Sequence, residues 1–186
     1  MIKAIITDFD GTLVDTFKAN LCAYQDAFYQ VGRNLTLEKY RECFGYRFDR
    51  FMQATGVFDE NEAETIKEYK KRVYPNYFEH LVPNKKLIEL ISTFHQMGGK
   101  TAIASTARKE NLMNAIDYLG IAHHFDLIYS GIDVKQGKPS PEIYLKTMDC
   151  LKVLPDEVLI FEDSPVGFEA AKASGAEFIP VTSCWF

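Results

Sequence analysis

The chain has 186 residues, 47% of them hydrophobic and 25% charged, with a formal net charge of −5 at pH 7. Such a chain can bury a real core, as one large domain or as a core plus a small second domain. The acidic balance argues against nucleic-acid and membrane-surface binding, which call for basic patches.

Four scattered cysteines (Cys22, Cys43, Cys150, Cys184) show no paired spacing, which points to reduced thiols rather than disulfides or zinc. No charged lead precedes a long apolar stretch, and no segment reaches membrane-spanning length. The expectation is a soluble cytoplasmic protein, a monomer or weak dimer.

The first apolar run, Ala4–Asp10, reads as a strand that ends in two acids with Gly11 behind them. Asp is a poor strand residue, so a strand ending this way presents its acids rather than packing them. Residues i and i+2 share a strand face, so Asp8 and Asp10 can meet one ligand while Phe9 points away. Paired acids there suit a divalent cation, a phosphoryl group, or both.

Residues 16–82 then read as purely helical. Phe17, Leu21, Tyr24, Phe28 and Val31 recur at helical spacing before Gly32, and Thr36 can cap a second helix. Phe48, Phe51 and Met52 mark a third, and Ala63, Ile66, Val73 and Tyr77 a fourth, bent near Pro75. A helical block after the first strand reads as an inserted lid, with Asp15-Thr16 and Val82-Pro83-Asn84 as linkers.

From residue 83 onward strands and helices alternate. Thr101–Ser105, Leu127–Ser130, Val158–Glu162 and Phe178–Val181 are short apolar runs suited to a parallel sheet covered on both faces. Asn84 can cap a helix striped by Leu87, Leu90, Ile91, Phe94 and Met97 and ended by Gly98-Gly99. Leu112, Ala115, Ile116 and Leu119 form the next, ended by Gly120. Ser140-Pro141 and Ser164-Pro165 each read as N-cap plus N1 proline, the second helix ending by Gly175. Residues 1–15 and 83–186 are thus expected to form a Rossmann-like, doubly wound α/β core, with residues 16–82 as an all-helical cap.

Ligands of such sheets sit beyond the carboxyl ends of the strands. There the sequence places Asp8 and Asp10, the hydroxyl pair Ser105-Thr106, Lys138 within Gly-Lys-Pro, and the acidic pair Glu162-Asp163. Alone, Ser105-Thr106 could be a helix cap and Lys138 a solvated lysine. Together, four acids would repel one another unless a cation neutralises them. With oxygen donors and no cysteine or histidine among them, Mg²⁺ is the expected metal. The adjacent His123 and His124 face different ways without an acid at ligand spacing, and read as surface or packing residues.

With those residues in view, the chain resembles the haloacid dehalogenase superfamily, in the branch with a helical cap after strand one. Asp8-Phe9-Asp10-Gly11-Thr12 matches its first motif, Ile103-Ala104-Ser105 its second, Lys138 its third, and Phe161-Glu162-Asp163-Ser164 with Gly167, Ala170-Ala171 and Gly175 its fourth. Within that branch it is similar to phosphoglycolate phosphatases and β-phosphoglucomutases.

The resemblance implies that Asp8 is a nucleophile forming an aspartyl-phosphate, and that Asp10 is the acid and then the base. Ser105, with Thr106 beside it, and Lys138 would hold the phosphoryl oxygens. Asp8, Asp163 and the Asp10 carbonyl would hold Mg²⁺, with Glu162 a further ligand or a support behind them. Asp10 favours phosphoryl transfer over dehalogenation, whose branches lack that second aspartate.

In the cap, Arg47 and Arg50 follow Gly45. Either could reach an anionic substrate group, Arg47 first, or simply lie on a solvated helix face. The leading expectation is a Mg²⁺-dependent phosphatase acting on a small phosphorylated metabolite. A phosphomutase is the first alternative, weakened by Asn20 where the mutases carry a cap histidine. A phosphonate-cleaving relative would need a cap lysine, and nothing singles out Lys18 or Lys39. A non-catalytic binding protein on this fold would show a damaged motif, and none is damaged. Relatives of this branch usually continue past Cys184-Trp185-Phe186, so the expectation there is a compact member or a shortened chain, whose apolar end packs on the core or meets a partner.

Overall fold

Runs that are apolar on both faces need cover on both sides, and the chain arranges them as a parallel sheet between helices. The computed structural model describes residues 1–186. Its strands in chain order are β1 (Ala4–Thr7), β2 (Val14–Asp15), β3 (Val82–Pro83), β4 (Lys100–Ala104), β5 (Leu127–Tyr129), β6 (Val158–Glu162) and β7 (Glu177–Pro180). The helices are α1 (Phe17–Gln30), α2 (Leu37–Cys43), α3 (Phe48–Ala54), α4 (Glu60–Val73), α5 (Lys85–Gln96), α6 (Lys109–Leu119), α7 (Glu142–Leu151) and α8 (Pro165–Ala173). No helix is long and apolar enough to cross a membrane.

The chain divides into two compact units, residues 1–15 with 82–186, and residues 16–81. The first holds a five-stranded sheet in the order β5-β4-β1-β6-β7, with every pairing parallel. β1 is central, with Thr7 level with Ile103 of β4 on one side and Phe161 of β6 on the other. The connections run outward from β1 in both directions, which makes its carboxyl end the topological switch point. Ile143, Tyr144 and Met148 of α7 and Ala170-Ala171 of α8 pack on the face formed by Ala4, Ile6, Ala102, Ala104, Val158 and Ile160. Alternate residues Ile5, Ile103 and Phe161 are buried as well.

Local signals set the helix ends. The Asn84 side chain accepts from Leu87 N–H at 3.1 Å and caps α5. Gly120 closes α6 in the left-handed conformation. The Ser164 side chain accepts from Gly167 N–H at 3.1 Å with Pro165 at the first helical position. The helix expected from Pro141 begins one residue later. Pro141 takes the N-cap place, and Ser140 Oγ accepts from Glu142 N–H at 3.3 Å. Asp15 and Val82-Pro83, which fall within the expected linkers Asp15-Thr16 and Val82-Pro83-Asn84, join Val14 in a small antiparallel ribbon, Val14–Asp15 against Val82–Pro83. Two-residue strands leave no periodic trace in sequence.

The second unit is helical throughout, built from α1 to α4 and a 3₁₀ segment, Tyr74–His80. The α-helix gives way to the 3₁₀ segment at Tyr74, next to Pro75, the residue near which a bend is expected. Its core gathers Phe28, Tyr40, Phe51, Met52 and Ile66, with Phe17, Tyr24 and Phe48 packed against them. Tyr40 and Phe51 meet edge-on with ring centroids 5.8 Å apart. The aromatic stripes of the sequence are therefore this unit's own interior.

Candidate active site

β1 stops at Thr7, short of the acids it was expected to carry. Asp8 N–H still donates to Phe161 O at 2.9 Å, so Asp8 is fixed at the sheet's edge. The chain then folds back at once. Phe9 O accepts from Leu13 N–H at 3.1 Å and Val14 N–H at 3.0 Å, and Gly11 N–H donates to Val14 O at 2.8 Å. Gly11 turns with φ +87°. Asp10 thus stands in a tight turn, not on the strand face that the i, i+2 pattern predicted.

Lys138 reaches the site from an irregular segment between β5 and α7. Two carboxylates shape that segment. Asp133 Oδ2 accepts from Ser130 N–H at 2.9 Å and from Ser130 Oγ at 2.7 Å. Glu142, in the first turn of α7, accepts from Lys135 N–H at 2.8 Å and Gln136 N–H at 2.7 Å. Lys138 Nζ lies 2.6 Å from Asp8 Oδ1 and also pairs with Glu162 Oε1. Its side chain is 3% exposed, which disposes of the solvated-lysine reading.

Glu162 ends β6 with its carboxylate fully engaged. Oε1 takes Lys138 Nζ and the Tyr144 hydroxyl, the latter at 3.1 Å. Oε2 takes Asp163 N–H at 2.8 Å, Ser164 N–H at 3.0 Å and Ser164 Oγ at 3.2 Å. Asp163 Oδ1 accepts from Thr12 Oγ1 at 2.8 Å. Two glycines make room: a Cβ on Gly11 would meet the Asp163 carboxylate, and one on Gly167 the Glu162 carboxylate.

Ser105 and Thr106 stand at the end of β4, beside β1. Ser105 is buried and its Oγ accepts from Ala107 N–H at 3.0 Å, which leaves its proton free to donate. Gly131 N–H ties the same loop down through Ala107 O at 2.9 Å. Arg47 belongs to the helical unit, at the N-cap of α3, with Nε 4.0 Å from Asp49. His123 and His124 form a short 3₁₀ turn, and the chain's cluster of three metal-ligating groups contains neither.

The electrostatics follow from burying several acids with one cation. Burial pushes the Asp8 carboxyl well above the usual aspartate range, and the Glu162 and Asp163 charges add to this against the pull of Lys138. Burial and the Glu162 charge raise Asp163 to about 6, against the Thr12 hydrogen bond. At Glu162 burial also acts upward, but Lys138 and the surrounding donors outweigh it and the group is lowered. Burial works against the Lys138 charge, yet the neighbouring carboxylates hold its pKa well above the usual lysine value.

Asp8, Glu162 and Asp163 each offer an oxygen within 4.8 Å of the others. Three carboxylates against one ammonium leave excess negative charge, and all the donors are hard oxygens. That set fits a divalent cation of the Mg²⁺ type.

Residues 5–181 match the haloacid dehalogenase-like hydrolase family. The chain belongs to that family. It is 33% identical to a phosphorylated carbohydrates phosphatase of Thermotoga maritima over 184 residues, covering 96% of this chain and 84% of the relative. It is 26% identical to a phosphoglycolate phosphatase of Aquifex aeolicus, covering 95% and 83%. Among solved structures, CbbY from Rhodobacter sphaeroides in complex with phosphate superposes with a TM-score of 0.86 at 26% identity, covering 98% of this chain and 88% of that one.

As a haloacid dehalogenase-like hydrolase, the protein has two site residues that sequence reasoning left without roles. Thr12 lies inside the first motif, and its neighbours there were the available signal. Tyr144 carried no signal, because an aromatic residue on a helical stripe reads as core. It is core, but its hydroxyl also faces Glu162.

Proposed function

We propose that this chain is a Mg²⁺-dependent phosphatase that hydrolyses a small phosphorylated metabolite through an aspartyl-phosphate on Asp8. The observation that carries the reading is the buried lysine shared between Asp8 and Glu162 at the switch point of the sheet. A buried lysine held on a carboxylate at the sheet's edge is placed to neutralise a phosphoryl group arriving there. The phosphatase relatives support the same chemistry.

In the first half-reaction an Asp8 oxygen attacks phosphorus. The phosphorus–ester oxygen bond breaks, and the leaving oxygen takes a proton from Asp10. In the second, Asp10 takes a proton from water as that water attacks the aspartyl-phosphate, releasing phosphate and restoring Asp8. Lys138 and the Ser105 and Thr106 hydroxyls would hold the transferring oxygens. Asp8, Asp163 and the Asp10 carbonyl would hold Mg²⁺, with Glu162 supplying charge from behind. When bound, the ion neutralises the phosphoryl charge and lowers the cost of bringing an anion to a carboxylate. The helical unit would serve as a cap that excludes water and selects the substrate, with Arg47 available to an anionic group.

The test is Mg²⁺-dependent phosphate release over sugar phosphates, phosphoglycolate, nucleotides and pyrophosphate, with Asp8→Asn as control. Release of phosphate from at least one ester, lost in the variant and with EDTA, is the expected result. Folded protein that turns over none of them overturns the reading, and an isomerised sugar phosphate without free phosphate converts it to a mutase.

A further inference from the structure

Glu162 Oε1 accepts from two donors of different kinds, an ammonium and a phenol. Lys138 divides its charge between that oxygen and Asp8 Oδ1, 2.6 Å away. The Tyr144 hydroxyl donates to the same Glu162 oxygen at 3.1 Å, and Lys138 Nζ lies 5.0 Å from the centre of the Tyr144 ring. Tyr144 is completely buried in the sheet–helix core. A phenol carries its proton at neutral pH and so is an O–H donor there.

We infer that Tyr144 is a positioning residue of the phosphoryl-transfer site: its hydroxyl shares the charge of Glu162 Oε1 and so keeps Lys138 on Asp8. A buried carboxylate oxygen must be satisfied, and the fewer donors it has, the more tightly it holds the remaining one. The other oxygen, Oε2, is already occupied by three donors from Asp163 and Ser164, so it offers no relief. With the phenol O–H gone, Glu162 Oε1 would depend on Lys138 alone. The ammonium would move toward Glu162 and away from the oxygen that attacks phosphorus. The ring is separable from this role, because a phenylalanine would fill the same space in the core.

The inference rests on the phosphatase reading, so its test carries one readout of turnover and one that needs none. Tyr144→Phe is assayed with Mg²⁺ and p-nitrophenyl phosphate, melted thermally, and crystallised. The expected result is kcat lowered about tenfold, the scale of one hydrogen bond to a charged group, with KM changed less than about twofold. The melting temperature falls by no more than the few degrees that one lost hydrogen bond accounts for, and the Lys138–Asp8 contact is longer in the crystal. A purely structural tyrosine would lower the melting temperature and leave kcat alone. Either an unchanged kcat or an unmoved Lys138 in the variant's structure overturns the inference. If the parent protein turns over no phosphate ester, the phosphatase reading falls, and the position of Lys138 in the variant still decides whether Tyr144 places it.

Discussion

Thr12 Oγ1 donates to Asp163 Oδ1 at 2.8 Å, joining two residues 151 positions apart in sequence. The turn after β1 thereby aims a carboxylate of the loop after β6. That turn is itself held, since Asn84 Nδ2 donates to Thr12 O at 3.2 Å and Asn84 N–H donates to Leu13 O at 2.9 Å. The residue that caps α5 also steadies the first motif.

Replacing the hydroxyl with a methyl group isolates this link. Thr12→Val keeps the β-branched shape at a fully buried position but leaves Asp163 without its side-chain donor. On the proposed metal role of Asp163, calorimetric titration should show Mg²⁺ bound about tenfold more weakly, the scale of one hydrogen bond to a charged acceptor. Unchanged affinity would mean that Thr12 does not orient Asp163 toward the ion.

Gly167 should respond to alanine with the wrong sign for a helix. Gly→Ala inside an exposed helix usually gains up to about 1 kcal/mol. Here the new Cβ would meet the Glu162 carboxylate, which is tied to Lys138, Tyr144 and Ser164. Gly167→Ala is expected to destabilise by roughly 1–3 kcal/mol, the usual cost of overpacking, and to cut turnover as Glu162 displaces Lys138. A thermal melt equal to or above the parent's would refute this.

Glu142 offers a prediction in acid. Backbone N–H groups of Lys135 and Gln136 hold its carboxyl below the usual glutamate range. A depressed folded pKa contributes stability that is fully present above the unfolded glutamate value and is lost as pH falls through the folded one. Hydrogen exchange at the Lys135 and Gln136 amides should therefore accelerate, beyond the intrinsic pH trend, as pH drops into the carboxylate range. Glu142→Ala should show fast exchange at neutral pH. Since the segment carries Lys138, the same variant should lose turnover without losing α7.

How much of this the sequence disclosed depends on whether a feature is local. Asp8, Glu162, Asp163 and Lys138 stand at strand ends or in a Gly-Lys-Pro turn, places that short-range patterns mark. Caps at Asn84 and Ser164 are equally local. The ribbon of Val14–Asp15 with Val82–Pro83 is not, because two residues have no period and their pairing spans the helical insertion. The turn at Asp10 reads as strand in the sequence because the run continues through Phe9, whereas β1 stops at Thr7 and the turn is made with Gly11 in a left-handed conformation, a backbone property. Tyr144 stayed hidden for another reason. Its spacing describes the ring, which is core, and nothing in the spacing describes where its hydroxyl points.

The helical unit supplies a test in alkali, independent of the α/β core's chemistry. Tyr77 Oη donates to Asp26 Oδ2 at 2.5 Å. This bond, with some burial and the Asp26 charge, raises the phenol to about 12. A raised folded pKa means the stabilisation is intact below the unfolded tyrosine value of about 10 and is lost as pH climbs toward about 12. Tyr77 is half-buried, so solvent screens the pair and its contribution at neutral pH should be modest, about 1 kcal/mol. Tyr77→Phe should therefore lower the melting temperature by a few degrees at pH 7, and the gap between variant and parent should close as pH rises past 10. A gap that stays constant across that range would show that the loss comes from packing of the ring and not from the bond to Asp26.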